Sequence, residues 1–369
     1  MIQTRSPARG ESRYATINAL GVLDNPNLPT SSAADQDEVD GLGHVGGARG
    51  VDARALTDAR SAGLSAVNIT LGHVAGSGDA FCETVRDITG WNAFVASHAS
   101  SLRRVVCVTD IAGAAEAGQV GVIYGFQNTE MLGRELDRVR LFAKMGVRVI
   151  QLTYNGRNAV GDGATVPDDQ GLTRFGAEVV ERLQSEGVLV DLSHSSERTC
   201  LDALALAQRP VAITHSACRA VADHPRNKSD AELRLLAERG GVVGLYFMPY
   251  LRLAGQPMAA DLVAHLEHAI DVCGEDHVGL GTDGGTTAPD DMTAYRRRLE
   301  DEVAQRRALG IGAPGETADV ATFLPDLCGP TQFQRLADLL VRRGHGEARI
   351  EKILGGNFRR LMADAWNHS

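Results

Sequence analysis

Five residues of this 369-residue chain stand where apolar runs end, and each can bind a metal, move a proton or donate a hydrogen bond: Gln127, Tyr154, His194, His215 and Asp283. Neutral imidazole suits zinc and similar ions, and a carboxylate can take the proton of a water that attacks a carbonyl beside a metal. Two histidines at successive run ends and an aspartate at the last one point to hydrolysis, with His194 and His215 as ligands of one divalent metal, zinc, and Asp283 as the base. The plainer assignment is that all three satisfy buried backbone groups. His73, in LGHVAG, and His44 are further imidazoles that can stand in as ligands, although loop histidines are more often solvated.

The elements that must position these residues recur. Apolar runs cover 14–21, 64–72, 120–127, 147–154, 188–194, 210–215, 241–248 and 277–283, and near-continuous apolarity marks strands buried on both faces. Between them lie helix-periodic segments. The stretch 171–187 places Phe175, Val179, Val180 and Leu183 on one face and stops at Gly187. Eight alternating units predict an α/β fold closed into a (β/α)8 barrel, one domain over 1–369 with a flexible segment at 1–13. Residues 22–50 and 284–330 read as long loops after the first and eighth strands, at the barrel face where sites form.

Composition bounds the function. The formal net charge of −10 argues against a nucleic-acid partner. Arg296, Arg297 and Arg298 precede Glu300, Asp301 and Glu302, as on a solvated helix face. The six cysteines form no CxxC pair, so reduced thiols are expected. With no apolar stretch near the roughly 20 residues of a bilayer span, a cytoplasmic protein without a membrane partner is expected. GLGTDGG and ILGGNF lack the order of a nucleotide-binding loop.

The runs VDLSHSSERT (190–199), AITHSACRAVADHPRN (212–227), HVGLGTDGG (277–285) and ARIEKILGGNFRRLM (348–362) resemble the renal, or membrane, dipeptidase family. The resemblance implies a (β/α)8 metallohydrolase that cleaves dipeptides and related small amides at a two-metal centre. It places His194 and His215 on the histidines of the second metal, Asp283 on the catalytic aspartate and Arg226 on the arginine that holds the substrate carboxylate. It also exposes departures. Leu20 and Val22 stand where the family's His-x-Asp pair binds the first metal, Gln127 replaces the bridging glutamate, and Tyr154 replaces a histidine. An amide lacks the charge that offsets two dications, which leaves Gln127 to contact substrate. Tyr154 keeps a hydrogen-bond donor for a developing oxyanion.

These observations predict a dipeptidase-like, mononuclear hydrolase of a small amide carrying a free carboxylate, and a homodimer, since dimers are common in that family. The alternative is a metal-free lyase, isomerase or binding protein on the same barrel. For Arg226 the plainer alternative is a surface pair with Asp223 or Asp230. His224 and Pro225 shape the turn that aims Arg226, and Asp191 is expected to bond toward the helix layer.

Overall fold

The computed structural model describes residues 14–28 and 50–366. Among these residues there are nine parallel strands: β1 (Thr16–Asn18), β2 (Leu64–Thr70), β3 (Leu102–Val105), β4 (Val120–Phe126), β5 (Val147–Gln151), β6 (Leu189–Asp191), β7 (Ala212–Ser216), β8 (Val242–Leu245) and β9 (Val278–Leu280). Eight of them run in the order β1-β2-β4-β5-β6-β7-β8-β9. The two ends of the sheet meet through Ala19 N–H donating to Leu280 O at 2.9 Å and Asp283 N–H donating to Leu20 O at 3.0 Å. The result is the nearly closed (β/α)8 barrel that the repeat predicts.

The ninth strand, β3, was not expected from the sequence. It pairs with the first half of β4 through Leu102↔Val120 to Val105↔Ile123, along the edge whose second half pairs with β5. Its two arginines, Arg103 and Arg104, interrupt the apolar run and conceal it.

Strand side chains alternate between faces. One set, including Ile17, Ala66, Ile123, Val149, Leu189 and Val242, packs against Phe358, Leu361, Met362 and Trp366 of the last helix (Asn357–Trp366). That helix plugs the lower barrel with apolar surface. Two residues farther along the same strands, the positions become Asn68, Gln151, Asp191 and Thr214, all buried. The barrel interior thus turns from apolar to polar on approach to the carboxyl ends.

The segment Arg174–Ser185 is the expected crossover helix. Thr173 caps it, Val179, Val180 and Leu183 are buried, and Gly187 follows at φ 63°. The excursion after β9 is not simply a loop, because it carries a 17-residue helix, Met292–Ala308, whose buried residues are Leu299 and Val303. The arginine-rich run lies on it. All six cysteines are free. Among the described residues no helix is long and apolar enough to cross a membrane. Residues 1–13 and 29–49, His44 among them, lie outside the described residues.

Candidate active site at the barrel mouth

The ends of β6 and β7 bring His194 and His215 together, both buried, with Nε2 atoms 2.9 Å apart. Their partners decide where each ring carries its hydrogen. Thr214 Oγ1 donates to Asp191 Oδ2 at 2.6 Å, so its oxygen meets His215 Nδ1, 2.8 Å away, as an acceptor. Asn155 Nδ2 donates to Ile311 O at 2.7 Å, which turns Asn155 Oδ1 toward His194 Nδ1 at 2.8 Å. Both rings therefore hold their hydrogen on Nδ1, and two Nε2 lone pairs face one another. Such a pair needs a cation between its nitrogens, either a proton or a metal. Burial, and after it the charge of Arg226, pushes both imidazoles well below their ordinary range, so a shared proton is held weakly.

Asp191 is the foundation of this arrangement. It does not bond toward the helix layer as expected. Its carboxyl accepts from Ser193 N, Ser193 Oγ, Thr214 N and Thr214 Oγ1, all within 3.0 Å. The reason is its position on the polar, inward register of β6. Gly281 is required beside Thr214, since a Cβ there would stand 1.8 Å from Thr214 O.

Arg226 is 2% exposed and donates from Nη1 to Ser193 O at 2.6 Å. Among the described residues it has no carboxylate partner: Asp230 instead pairs with Arg234 and His268. A buried guanidinium without a counter-ion is costly unless an anion reaches it. Two residues on, buried Lys228 donates to Ser195 O at 2.6 Å and pairs with Glu232 at 3.1 Å. The two cations hold the chain on either side of His194. His224 accepts from Arg226 N–H at 3.1 Å, stacks on Tyr250 and donates to Pro314 O at 2.9 Å, which gives the turn its shape.

Tyr154 stacks on His194 with ring centroids 4.2 Å apart and planes at 20°. Its phenol oxygen accepts from Arg306 Nη1 at 2.9 Å. Gln127 donates to Thr70 Oγ1 at 2.8 Å, on the far side of the mouth. Leu20 is buried there, and Val22 is half-buried. Asp283 is half-buried at φ 56°, a positive value that no other non-glycine residue shows among those described. A left-handed aspartate at a strand end is the kind of strain that collects at working sites. His73 is tied to Glu83 Oε2 at 2.6 Å.

The residues do not fit a metal pair. Among those described, no three His, Cys, Asp or Glu side chains converge closely enough to hold an ion. The histidines do fit one ion, because their hydrogen-bonded Nδ1 atoms and converging Nε2 lone pairs are what metal-bound histidine needs. Sequence reasoning missed Asn155, Thr214, Arg306 and Glu316. The first two adjoin singled-out residues in LTYNG and ITHS, which was a usable signal. Arg306 and Glu316 gave none, being charged residues in a charged segment.

The model of the family described as membrane dipeptidase, peptidase family M19, matches residues 51–310. An uncharacterized dipeptidase of Schizosaccharomyces pombe is 33% identical over 210 residues, 54% of this chain and 50% of that protein. The dipeptidase tcpJ of Claviceps purpurea is 27% identical over 259 residues, 69% of this chain and 53% of that protein. The chain spans about half the length of these curated relatives. An amidohydrolase structure from Pseudomonas aeruginosa superposes with a TM-score of 0.75 at 29% identity, over 85% of this chain and 92% of that one. A metallo peptidase from Rhodobacter sphaeroides, liganded with a phosphinate mimic of L-Ala-D-Ala, shares the fold at a TM-score of 0.72 and 20% identity, over 96% and 99%. With most of its barrel matched by the family model, the chain belongs to the membrane dipeptidase family.

Proposed function

We propose that the barrel mouth binds a small amide or dipeptide-like molecule by its carboxylate and hydrolyses the amide at a single divalent metal, zinc. The observation that carries this reading is the tautomer of the histidine pair, fixed by Thr214 and Asn155 so that both Nε2 lone pairs meet. His194 and His215 would hold the ion, which would supply a polarised carbonyl and a more acidic water. Arg226 presents parallel N–H donors to the substrate carboxylate. Asp283 takes a proton from the attacking water, Tyr154 donates to the developing oxyanion, and the proton then passes from Asp283 to the leaving nitrogen. One water is consumed, and an amine and a carboxylic acid are released.

Elemental analysis of protein purified without chelator, beside hydrolysis of dipeptides with free and amidated carboxyl ends, tests the reading. One metal equivalent and preference for the free acid are expected. Arg226→Ala should cost about 2–5 kcal/mol with the free acid and little with the amide, and Arg226→Lys should recover part of it. Two equivalents per chain, or equal turnover of acid and amide, would overturn it.

The Nε2–Nε2 distance favours a second reading. Two nitrogens on one tetrahedral zinc lie about 3.3 Å apart, given bonds of roughly 2.0–2.1 Å, whereas this pair stands at 2.9 Å. A proton-sharing pair in a metal-free lyase, isomerase or binding protein has that spacing. Protein without metal whose ligand binding ignores chelators would select it.

A further inference from the structure

We propose that Arg306, on the excursion after β9, is a positioning residue that holds the phenol of Tyr154 with its hydrogen free for substrate. This rests on the reading of Tyr154 as the oxyanion donor. The helix that carries Arg306 is mostly exposed, yet this side chain leaves its solvated neighbours and enters the mouth. Its Nη1 donates to Tyr154 Oη at 2.9 Å, its Cζ lies 5.8 Å from the phenol ring centroid, and its Nε donates to Glu316 Oε1 at 2.6 Å.

A guanidinium has hydrogens to give and no lone pair to offer. The phenol oxygen is thus the acceptor, and its own hydrogen must point elsewhere. Among the described residues it meets no acceptor, and the ring's stacking on His194 keeps it beside the histidine pair. Glu316 in turn stiffens Arg306. The segment between Arg306 and Glu316 is tied down twice, by Asn155 Nδ2 donating to Ile311 O at 2.7 Å and by His224 Nε2 donating to Pro314 O at 2.9 Å. The same strap therefore touches the partner of His194 and the neighbour of Arg226. A residue distant in sequence thus fixes the phenol that stands where the family resemblance places a histidine.

Calorimetry with two Ala-Ala isosteres separates positioning from packing. A phosphinate isostere presents a tetrahedral oxyanion, and a ketomethylene isostere presents a planar carbonyl. Arg306→Met should weaken the phosphinate about 10- to 100-fold, the range of a lost supporting contact, and leave the ketomethylene compound unchanged. Arg306→Lys and Glu316→Gln should fall between wild type and Arg306→Met. Tyr154→Phe should lose the same discrimination, and the double variant should be no worse than Tyr154→Phe alone, because Arg306 acts through the phenol. Additive losses would show a direct charge effect on the anion and overturn the proposal. Equal weakening of both isosteres would show a packing role and overturn it too. A wild type that favours the phosphinate while Arg306→Met leaves that preference intact refutes the positioning alone. A wild type that binds neither isostere refutes the reading of the mouth, and this inference with it.

Discussion

On the β6–β7 side of the mouth, His194 and His215 stand on a complete set of buried partners, from Asp191 through Thr214 on one flank to Asn155 on the other. On the β1–β2–β4 side, Leu20 and Val22 offer no side-chain donor atoms, and Gln127 spends one of its amide hydrogens on Thr70. The two sides share strand geometry and differ in what lies behind the ligand positions. A histidine pair with its supporting bonds in place is organised to hold an ion, whereas positions filled by apolar and amide groups offer little that would organise one.

The largest expected effect breaks the comparison outright. His194→Ala or His215→Ala should remove the bound metal and reduce hydrolysis to background, while Leu20→Ala or Gln127→Ala should leave the metal content unchanged. Elemental analysis of the four variants checks this, and metal lost from Gln127→Ala would place the ion on the other side. A smaller effect sharpens it. Thr214→Val keeps the shape but removes the acceptor for His215 Nδ1, so metal affinity should fall about 10- to 100-fold with the fold intact. Titration against a competing chelator reads this, and an unchanged affinity would mean that the ring is oriented by packing instead.

The smallest effect concerns acid stability of the loop that brings Arg226 to the β6–β7 side. Cys218 N–H donates to His265 Nδ1, and His265 Nε2 donates to Leu251 O, both at 3.0 Å, so the native ring is neutral. Burial holds its pKa below the ordinary value. Between that depressed value and about 6.5, the unfolded chain binds more protons than the native one. Stability is then fully present above about pH 6.5 and is lost as pH falls toward the native pKa, at no more than about 1.4 kcal/mol per pH unit. Denaturation midpoints from pH 7.5 to 5.0 should fall less steeply in His265→Gln. Identical slopes would remove His265 from the account.

The barrel was legible because its strands are buried on both faces and write their period into the sequence as apolar runs. The strand-end residues were legible for the same reason, since a polar residue terminating such a run faces the mouth. The strand Leu102–Val105 was hidden because it covers only the lower half of one edge and tolerates charge. What the sequence by itself determined was which donor groups stand at the strand ends, because donor chemistry is a property of residue type. What only the tertiary structure decided was the proton arrangement at His194 and His215 and the arrival of Arg306 from 152 residues away at Tyr154. Those depend on which acceptor faces which nitrogen within about 3 Å, and hydrogen bonds are short-ranged and directional, so no pattern along the chain encodes them.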